Sequence, residues 1–336
     1  MSIHLQEMLL VRLSSESVAS LAVQAAVLEA AAIGKPGLVC MDTQGVHADM
    51  DIRMLMASAF SLGSYFVQTA EYGRTHAEAA PHDAFRHLRS LGRMGEKTML
   101  AATGGVNTHK GLIFSQGLIC AAAGRLAARR GAANADAMCA EAAVLARGVV
   151  EQDLVSLRQG AGEFDPAAQA WEEYLRVARQ RMARDFSAGE ALYLRYGVAG
   201  VRGEAERGFP HVLLGLQSLW TESSRGNLNR AILHTLLALM AKVHDTNILW
   251  RGGPEKLRAV QAMACQILEL GGTASSDGRA ALAALQDYCL AHRLSPGGCA
   301  DILSIALFFH LLMTMGHADA SCPLGESAIP VCKDTA

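Results

Sequence analysis

The sequence predicts an all-α protein, and three observations support this fold class. Apolar residues recur every three or four positions, as they do on the buried face of a helix. The alternation of apolar and polar residues that marks a half-buried strand does not persist over a useful length. Alanine, the strongest helix former, is frequent, and the 336 residues include only eight prolines. We therefore predict one large multi-helix domain over residues 1–336.

Three apolar rows at helical spacing follow one another along the chain. They comprise Val18, Leu21, Ala25, Leu28 and Ala32; Ile232, Leu236, Leu239 and Val243; and Ile302, Ile305, Phe309 and Leu312. Each row predicts a helix with one face against the core. Two polar stretches, residues 172–185 and 271–279, are candidate excursions from the domain.

Composition restricts the possible partners. Hydrophobic residues make up 51% of the chain and charged residues 18%, below the roughly 25% of an average globular domain. We therefore expect a homo-oligomer whose interface covers part of the apolar surface. The net charge of −2 creates no field that would draw the chain to nucleic acid or an anionic membrane. Any phosphate recognition must be local.

The cysteines and the hydropathy predict a cytoplasmic protein. The eight cysteines include no C-x-x-C pair or metal-ligand spacing, which favours buried reduced thiols. The first residues lack the basic and apolar regions of a secretory signal. Mean hydropathy is +0.19, but polar residues interrupt the apolar stretches 231–250 and 302–315 before they reach the roughly 20 residues of a span. We expect no membrane association.

Five Gly-rich segments between the helices carry the polar residues of interest. They are residues 34–51, 103–111, 196–210, 244–254 and 294–301. In the first, Lys35 precedes a proline and is expected on a loop. Asp49 could cap the next helix, with Asp51 in its first turn. From the pattern alone, capping is as plausible as metal or substrate binding.

The segment at 103–111 predicts an anion-binding turn at the start of a buried helix. Gly104 and Gly105 allow the backbone to approach a ligand, and Asn107 or Thr108 can cap the helix that follows. Unpaired amides at a helix start attract phosphate. Lys110 in the first turn opposes the helix dipole by about 0.3–1 kcal/mol, so an anionic ligand explains it better than stability does. The spacing differs from that of a Walker A loop.

Two later segments repeat this arrangement. Arg251 stands just before a predicted helix start at Pro254. Ser295 is predicted to cap a helix with Pro296 in its first turn, followed by Gly297 and Gly298. A single capped helix start is common in proteins, so only the repetition suggests a shared function.

Several charged residues have both a structural and a functional interpretation. Arg202 and Glu204 lie among four glycines, in what could be a flexible surface loop. Glu96 lies beside Lys97 in a helical stretch, where a solvated ion pair is the simpler interpretation. Asp245 could be only a helix-end residue. The motifs of serine hydrolases, zincins and dinucleotide-binding folds are missing, which favours metal-assisted nucleotide chemistry.

Taken together, five stretches resemble the triphosphoribosyl-dephospho-coenzyme A synthase family, which makes the prosthetic-group precursor of citrate lyase and malonate decarboxylase. The stretches are KPGLV…GVHADMD (35–51), GEKTMLAATGGVNTHKG (95–111), YGVAGVRGEAERGFP (196–210), LMAKVHDTNILWRGG (239–253) and LSPGGCADIL (294–303). The resemblance implies that ATP and 3′-dephospho-coenzyme A are the substrates. Adenine leaves, and the triphosphoribosyl unit passes to the ribose 2′-hydroxyl of the acceptor.

This chemistry suggests roles for the candidate residues. Cleavage of an N-glycosidic bond requires carboxylates near the ribose, an acid for the departing base and a base for the attacking hydroxyl. The triphosphate requires cations, helix starts and Mg²⁺. We predict Glu96, Glu204 and Asp245 as catalytic residues; Lys35, Gly104, Gly105, Asn107, His109, Lys110, Arg202, Arg251, Ser295, Gly297 and Gly298 as substrate and phosphate ligands; and Asp49, Asp51 and Asp301 as metal ligands.

Three alternative functions are compatible with parts of this pattern. A paralogue could transfer a triphosphoribosyl or phosphoribosyl group from ATP to another alcohol. A helical prenyl-diphosphate enzyme would need paired Asp-rich motifs, which the Asp49–Asp51 region matches poorly. A non-catalytic nucleotide-binding oligomer would bind ATP without turnover. Incubation with ATP and 3′-dephospho-coenzyme A, with detection of adenine and of the product mass, distinguishes the paralogue, and the same assay tests the non-catalytic alternative.

Overall fold

The computed structural model describes residues 14–131 and 133–321, and all regular secondary structure in these ranges is helical, which confirms the all-α prediction. The α-helices are α1 Ser15–Ala31, α2 Ile52–Ser61, α3 Gly63–Thr75, α4 Pro81–Ala102, α5 Lys110–Arg130, α6 Ala135–Ala146, α7 Ser156–Ala161, α8 Trp171–Met182, α9 Ala188–Tyr196, α10 Gly200–Glu206, α11 Pro210–Ser223, α12 Leu228–Met240, α13 Thr246–Glu269, α14 Ser276–His292 and α15 Gly297–Ser321. A π-helical turn, Glu151–Val155, precedes α7, and a 3₁₀ turn, Gly272–Ala274, precedes α14.

The main core lies around α1, α3, α5, α11, α12 and α15. The three predicted apolar rows fall on α1, α12 and α15, apart from Ala32, which directly follows α1, and Val243, which lies three residues beyond α12. Helix α5 approaches α3 so closely that a Cβ on Gly124 would lie 2.0 Å from the carbonyl oxygen of Ala70. Glycine is therefore required there. Helix α5 also packs against α1 and α15.

Two helices are long and apolar enough to cross a membrane by composition, and both belong to the core. In Lys110–Arg130 and Gly297–Thr314, 78% and 72% of the apolar stretch is buried inside the protein. The first stretch is the buried helix predicted to follow residues 103–111, and the second contains most of the interrupted 302–315 segment. Burial by neighbouring helices explains their hydropathy without a lipid phase.

A second, smaller core surrounds α7, α8 and α9. It is formed by Leu157, Ala161, Tyr174, Leu175, Ala178, Ala191 and Leu194, and we call it the satellite cluster. The polar stretch 172–185 therefore belongs mainly to α8, whose apolar side packs in this cluster. The stretch 271–279 forms the 3₁₀ turn and the start of α14.

Three predicted helix starts can be compared with the structure. Asp51, rather than Asp49, caps α2, with Oδ1 accepting the N–H of Met54 at 2.9 Å. Pro254 does begin a helical segment, because Gly253 interrupts α13 with φ 73° and ψ −177°. Helix α15 begins at Gly297, and the carbonyl of Pro296 accepts the N–H of Ala300. The helix therefore starts one residue later than a cap at Ser295 would place it.

The described cysteines are all free thiols. Cys40, Cys120, Cys139, Cys289 and Cys299 are buried, and Cys265 is half-buried. This agrees with the prediction of buried reduced thiols for that part of the chain. The remaining two, Cys322 and Cys332, lie outside the described residues.

Candidate active site

The five Gly-rich segments meet around one large cavity of about 1310 Å³, which we call the main cavity. Fourteen of the seventeen predicted site residues line it. They are Lys35, Asp49, Glu96, Asn107, His109, Lys110, Arg202, Glu204, Asp245, Arg251, Ser295, Gly297, Gly298 and Asp301. Segments far apart in sequence are thus brought to one place, as expected for a composite binding site.

The other three predicted residues are not in the cavity lining. Gly104 and Gly105 have φ angles of 63° and 97° and reverse the chain between α4 and α5, a conformation that favours glycine. Asp51 caps α2 and pairs with Arg53 at 2.9 Å. Its carboxylate stabilises a helix start, so the three predicted metal ligands do not come together.

Asp245 is buried and joins the starts of two helices. Its Oδ1 accepts the N–H groups of Asn247 and Ile248 at 2.8 and 3.0 Å, which caps α13. Its Oδ2 accepts the N–H of Cys299 in the first turn of α15 at 2.8 Å. Burial raises the pKa of Asp245, while these three hydrogen bonds act in the opposite direction. The carboxylate therefore positions the two segments that carry Arg251 and Gly298.

Asp301 is held against the first turn of α5. A Cβ on Gly111 would lie 2.1 Å from Asp301 Oδ2, so only glycine leaves room for this carboxylate. Burial raises the pKa of Asp301 well above its ordinary value, and the negative charges of Glu29 and Asp245 raise it further. The cavity therefore contains a carboxyl group that is disposed to keep its proton.

Lys35 forms a buried ion pair with Glu29 of α1. Its Nζ lies 2.6 Å from Glu29 Oε1 and 2.5 Å from the carbonyl oxygen of the same residue. The side chain of Lys35 is 1% exposed. Lys35 lies on a loop, as predicted, but its charge is already compensated, so it ties that loop to the end of α1.

The start of α5 carries a chain of hydrogen bonds. Nδ1 of His109 lies 2.7 Å from the hydroxyl of Ser58, which also accepts a hydrogen bond from Thr108. Burial, followed by the charge of Lys35, lowers the pKa of His109 to about 4. His109 is therefore neutral at physiological pH and can contact a phosphate only as a hydrogen-bond donor.

The side chains next to His109 are more open. The N-cap residue of α5 is His109, without a side-chain cap, rather than the predicted Asn107 or Thr108. Asn107 Oδ1 nevertheless accepts the first N–H of the helix, that of Lys110, at 3.2 Å. Lys110 Nζ lies 3.1 Å from Glu96 Oε2, and both groups are partly exposed in the cavity. A partly solvated pair of this kind contributes little to stability. Lys110 is thus available to an anionic ligand.

Buried Glu204 and half-buried His211 form a pair on the α10–α11 side. Glu204 Oε2 lies 2.8 Å from His211 Nδ1, and Oε1 accepts the backbone N–H of His211 at 2.8 Å. A carboxylate at Nδ1 fixes the imidazole tautomer and leaves Nε2 to act as a base. Both residues line the cavity. The predicted carboxylate therefore comes with a histidine that the sequence did not indicate.

The remaining cations of the cavity differ in how they are compensated. Arg202 pairs with Asp153 at 2.9 Å, and Asp153 also pairs with Arg89. Within the described residues, Arg251 and Lys242 have no carboxylate partner; Arg251 donates one long hydrogen bond of 3.4 Å to a carbonyl. These two side chains provide positive charge that no acidic group in the described part of the chain neutralises.

Two further polar groups in the lining can accept a ligand. His47 Nε2 lies 3.0 Å from Ser295 Oγ, while its Nδ1 makes no hydrogen bond and lies 3.6 Å from Asp49 Oδ1. Burial and then the charge of Arg251 lower the pKa of His47, although Asp49 acts in the opposite direction. Ser304 Oγ is buried in the wall without a hydrogen-bond partner. Unsatisfied buried polar atoms at a cavity wall are suited to contact a bound molecule.

The donor set can be tested for Mg²⁺. The described residues contain no group of three or more His, Cys, Asp or Glu side chains that could hold a metal ion. Mg²⁺ in nucleotide sites usually needs only one or two carboxylates, because phosphates and waters complete its shell. Asp49, whose side chain is 64% exposed in the lining, fits that requirement. Asp301 is also present but is disposed to be protonated.

Sequence reasoning missed Glu29, His47, Ser58 and His211. Glu29 had a recognisable signal, because it continues the row Leu21–Ala25 on the apolar face of α1. An acid on a buried helix face indicates either a partner or a ligand. His211 directly follows the segment 196–210, and its contact with Glu204 depends on the turn at Phe209, where φ is 55°. No local sequence pattern predicts that turn.

Comparison with known proteins identifies the family of this chain. The family model described as ATP:dephospho-CoA triphosphoribosyl transferase matches residues 15–319. A 2-(5''-triphosphoribosyl)-3'-dephosphocoenzyme-A synthase of Klebsiella pneumoniae is 38% identical over 298 residues, covering 88% of this chain and 91% of the relative. A probable synthase of the same name from Stutzerimonas stutzeri is 38% identical, covering 93% of this chain and 96% of the relative.

A probable synthase from Malonomonas rubra is 34% identical and covers 89% of this chain and 88% of its own length. No solved structure matches the chain. The family match extends over all five segments that line the main cavity. The chain belongs to the ATP:dephospho-CoA triphosphoribosyl transferase family.

Proposed function

We propose that this protein transfers the triphosphoribosyl group of ATP to the 2′-hydroxyl of 3′-dephospho-coenzyme A and releases adenine. The observation that carries the proposal is the convergence of five distant segments on one cavity that mixes cations with buried carboxylates. Cations suit the triphosphate, and carboxylates suit a ribose that gains positive charge as its glycosidic bond breaks. Family membership supports the same reaction.

The triphosphate is assigned to the α5 and α15 side of the cavity. Lys110 and Arg251 supply charge that is free or only weakly compensated. Gly297 and Gly298 begin α15, where backbone N–H groups and the helix dipole favour an anion. Asp49 would hold Mg²⁺ together with phosphate oxygens, and the ion would neutralise charge on the triphosphate. His109 is neutral and Lys35 is paired with Glu29, so both help to position this side of the cavity but supply no free positive charge to the triphosphate.

The proton transfers are assigned to Asp301 and the Glu204–His211 pair. Asp301 was predicted as a metal ligand, but its raised pKa makes it the better general acid. Asp301 protonates the departing adenine as the bond between C1′ of the ATP ribose and N9 of adenine breaks. The electron pair of that bond stays with adenine. His211 Nε2 accepts the proton of the acceptor 2′-hydroxyl as the C1′–O2′ bond forms. Glu204 holds His211 in the required tautomer.

The proposal is tested with ATP and 3′-dephospho-coenzyme A, by chromatography of adenine and mass measurement of the product. Glu204→Gln should lower kcat about 100-fold, as loss of an acid–base group does. Glu206→Gln is the matched control, because Glu206 accepts the N–H of Gly148 and is not in the cavity lining. Adenine release only with a different acceptor would instead support the paralogue alternative. Tight nucleotide binding without turnover would support a non-catalytic protein.

The cytoplasmic location and the homo-oligomer stay predictions. Exposed apolar side chains support an interface, among them Phe60 at 64% and Met94 at 54% exposure. Light scattering on the purified protein measures the mass of the particle. A mass equal to one chain of 35.6 kDa would contradict the oligomer.

A further inference from the structure

A second cavity of about 710 Å³ adjoins the main one, and we call it the side chamber. The two cavities share Leu192, Tyr196, Trp250 and Arg251 in their linings. A molecule too long for one compartment can therefore extend from one into the other. The acceptor of the proposed reaction, 3′-dephospho-coenzyme A, is such a molecule, because the diphosphate of its adenine nucleotide carries a further long chain.

Trp250 stands at the junction of the two cavities. Its side chain is exposed by 53%, which is unusual for the largest apolar side chain. Within the described part of the chain, its ring has no aromatic, cationic or hydrogen-bond partner. An indole exposed at a cavity wall is a surface on which a nucleobase can stack.

The side chamber also contains guanidinium groups that no carboxylate compensates. Arg195 lies over the rings of Trp171 and Tyr196, each 5.1 Å from the ring centroid. Arg195 and Arg258 have no ion pair with any described residue, and both are exposed. With Arg251 they outnumber the two carboxylates of the lining, Glu172 and Glu255, by one. A planar guanidinium is well suited to bind a diphosphate in two contacts.

We propose that the side chamber binds the acceptor, with its adenine stacked on Trp250 and its diphosphate on Arg258 and Arg195. This inference rests on the proposed function. Because Trp250 lines both cavities, an adenine on its ring places the attached ribose, and hence the reacting 2′-hydroxyl, at the entrance of the main cavity. The diphosphate then points away from the triphosphate of the donor, which limits repulsion between the two anions.

ATP also contains adenine and a diphosphate, so the test must distinguish the two nucleotides. Binding of each is measured by calorimetry to the wild type, Trp250→Ala, Trp250→Phe and Arg258→Ala. We expect the Kd for 3′-dephospho-coenzyme A to rise roughly tenfold in the two alanine variants, with partial recovery in Trp250→Phe. The Kd for ATP should change less than twofold. Arg86→Ala, an exposed change in α4 away from both linings, is the control.

Fluorescence gives a readout that does not depend on turnover. The chain has three tryptophans, so 3′-dephospho-coenzyme A should quench the wild type and Trp220→Phe, and quench Trp250→Phe much less. A rise in the Kd for ATP alone, or unchanged binding of both nucleotides, would overturn the assignment. If the wild type releases adenine with 3′-dephospho-coenzyme A, either of these binding results would contradict only the assignment of the side chamber and not the proposed function. Failure of that wild-type reaction would instead remove the proposed function.

Discussion

The carboxylate of Asp245 accepts the backbone N–H of Cys299 at 2.8 Å, although the two residues are 54 positions apart. The same carboxylate caps α13 through its other oxygen. One side chain thus fixes the relative position of two helix starts that face the cavity. The sequence suggested a catalytic role for Asp245, and the contacts favour a positioning role.

Asp245→Ala is expected to destabilise the protein by about 2–4 kcal/mol, because it removes two helix caps and leaves buried N–H groups unpaired. Asp245→Asn keeps one acceptor oxygen and should therefore reduce the free energy of unfolding by less. Urea denaturation of both variants measures the difference. If Asp245→Ala unfolds at the wild-type urea concentration, the double cap does not contribute to stability. The KM for ATP should rise in Asp245→Asn more than kcat falls, since α13 and α15 both carry proposed phosphate ligands.

Asp301→Asn is expected to raise the free energy of unfolding by about 1–3 kcal/mol while lowering kcat at least 100-fold. Burial raises the pKa of Asp301 in the folded protein above its unfolded value. Above the unfolded pKa, the unfolded chain releases this proton more readily than the folded one, so the free energy of unfolding falls as the pH rises. The gain in Asp301→Asn should therefore be larger at about pH 8 than at about pH 5. Thermal unfolding at both pH values measures this, and a gain that shrinks with rising pH would contradict it.

Lys110→Ala is expected to raise the KM for ATP about tenfold with less than about 1 kcal/mol change in stability, because its pair with Glu96 is partly exposed. Lys97→Ala provides the control, since Lys97 is exposed on α4 and is not in the main cavity lining. Steady-state kinetics at fixed acceptor concentration distinguish the two variants. Equal KM values in both would show that Lys110 does not bind the triphosphate.

Acid should destabilise the protein through His109. A histidine whose folded pKa is lowered to about 4 stabilises the native state above its unfolded pKa near 6.5, and this contribution is lost as the pH falls. Between about pH 7 and pH 5 the loss amounts to about 2 kcal/mol. His109→Gln removes that part of the pH dependence of urea unfolding. His82→Gln, a change at an exposed histidine of α4, is the control.

The sequence predicted the fold class and most of the cavity lining because both depend on local patterns. Apolar rows give helices, and Gly-rich segments with caps give helix starts. Pairing between segments cannot be predicted in this way. Arg202 meets Asp153 across 49 positions, and Ser58 meets His109 across 51. Such contacts depend on tertiary packing, so the residues were recognised while their partners were not.

Roles were harder to predict than positions for the same reason. Lys35 was expected to hold phosphate, but a buried contact with Glu29 compensates its charge. Gly104 and Gly105 were expected to face a ligand, yet their positive φ angles serve the turn before α5. A glycine pair has the same appearance in sequence in both cases. Only the direction of the surrounding chain distinguishes them.

The satellite cluster offers a route to changed acceptor selectivity. Helix α9 places Ala191 and Leu194 in that cluster and Leu192 in the main core, and its last turn carries Arg195 into the side chamber. Repacking Leu157 or Leu175 would therefore move Arg195 while leaving Asp245, Asp301 and the α15 helix start in place. An engineer could in this way adapt the protein to shorter or bulkier acceptors without redesigning the part that handles ATP.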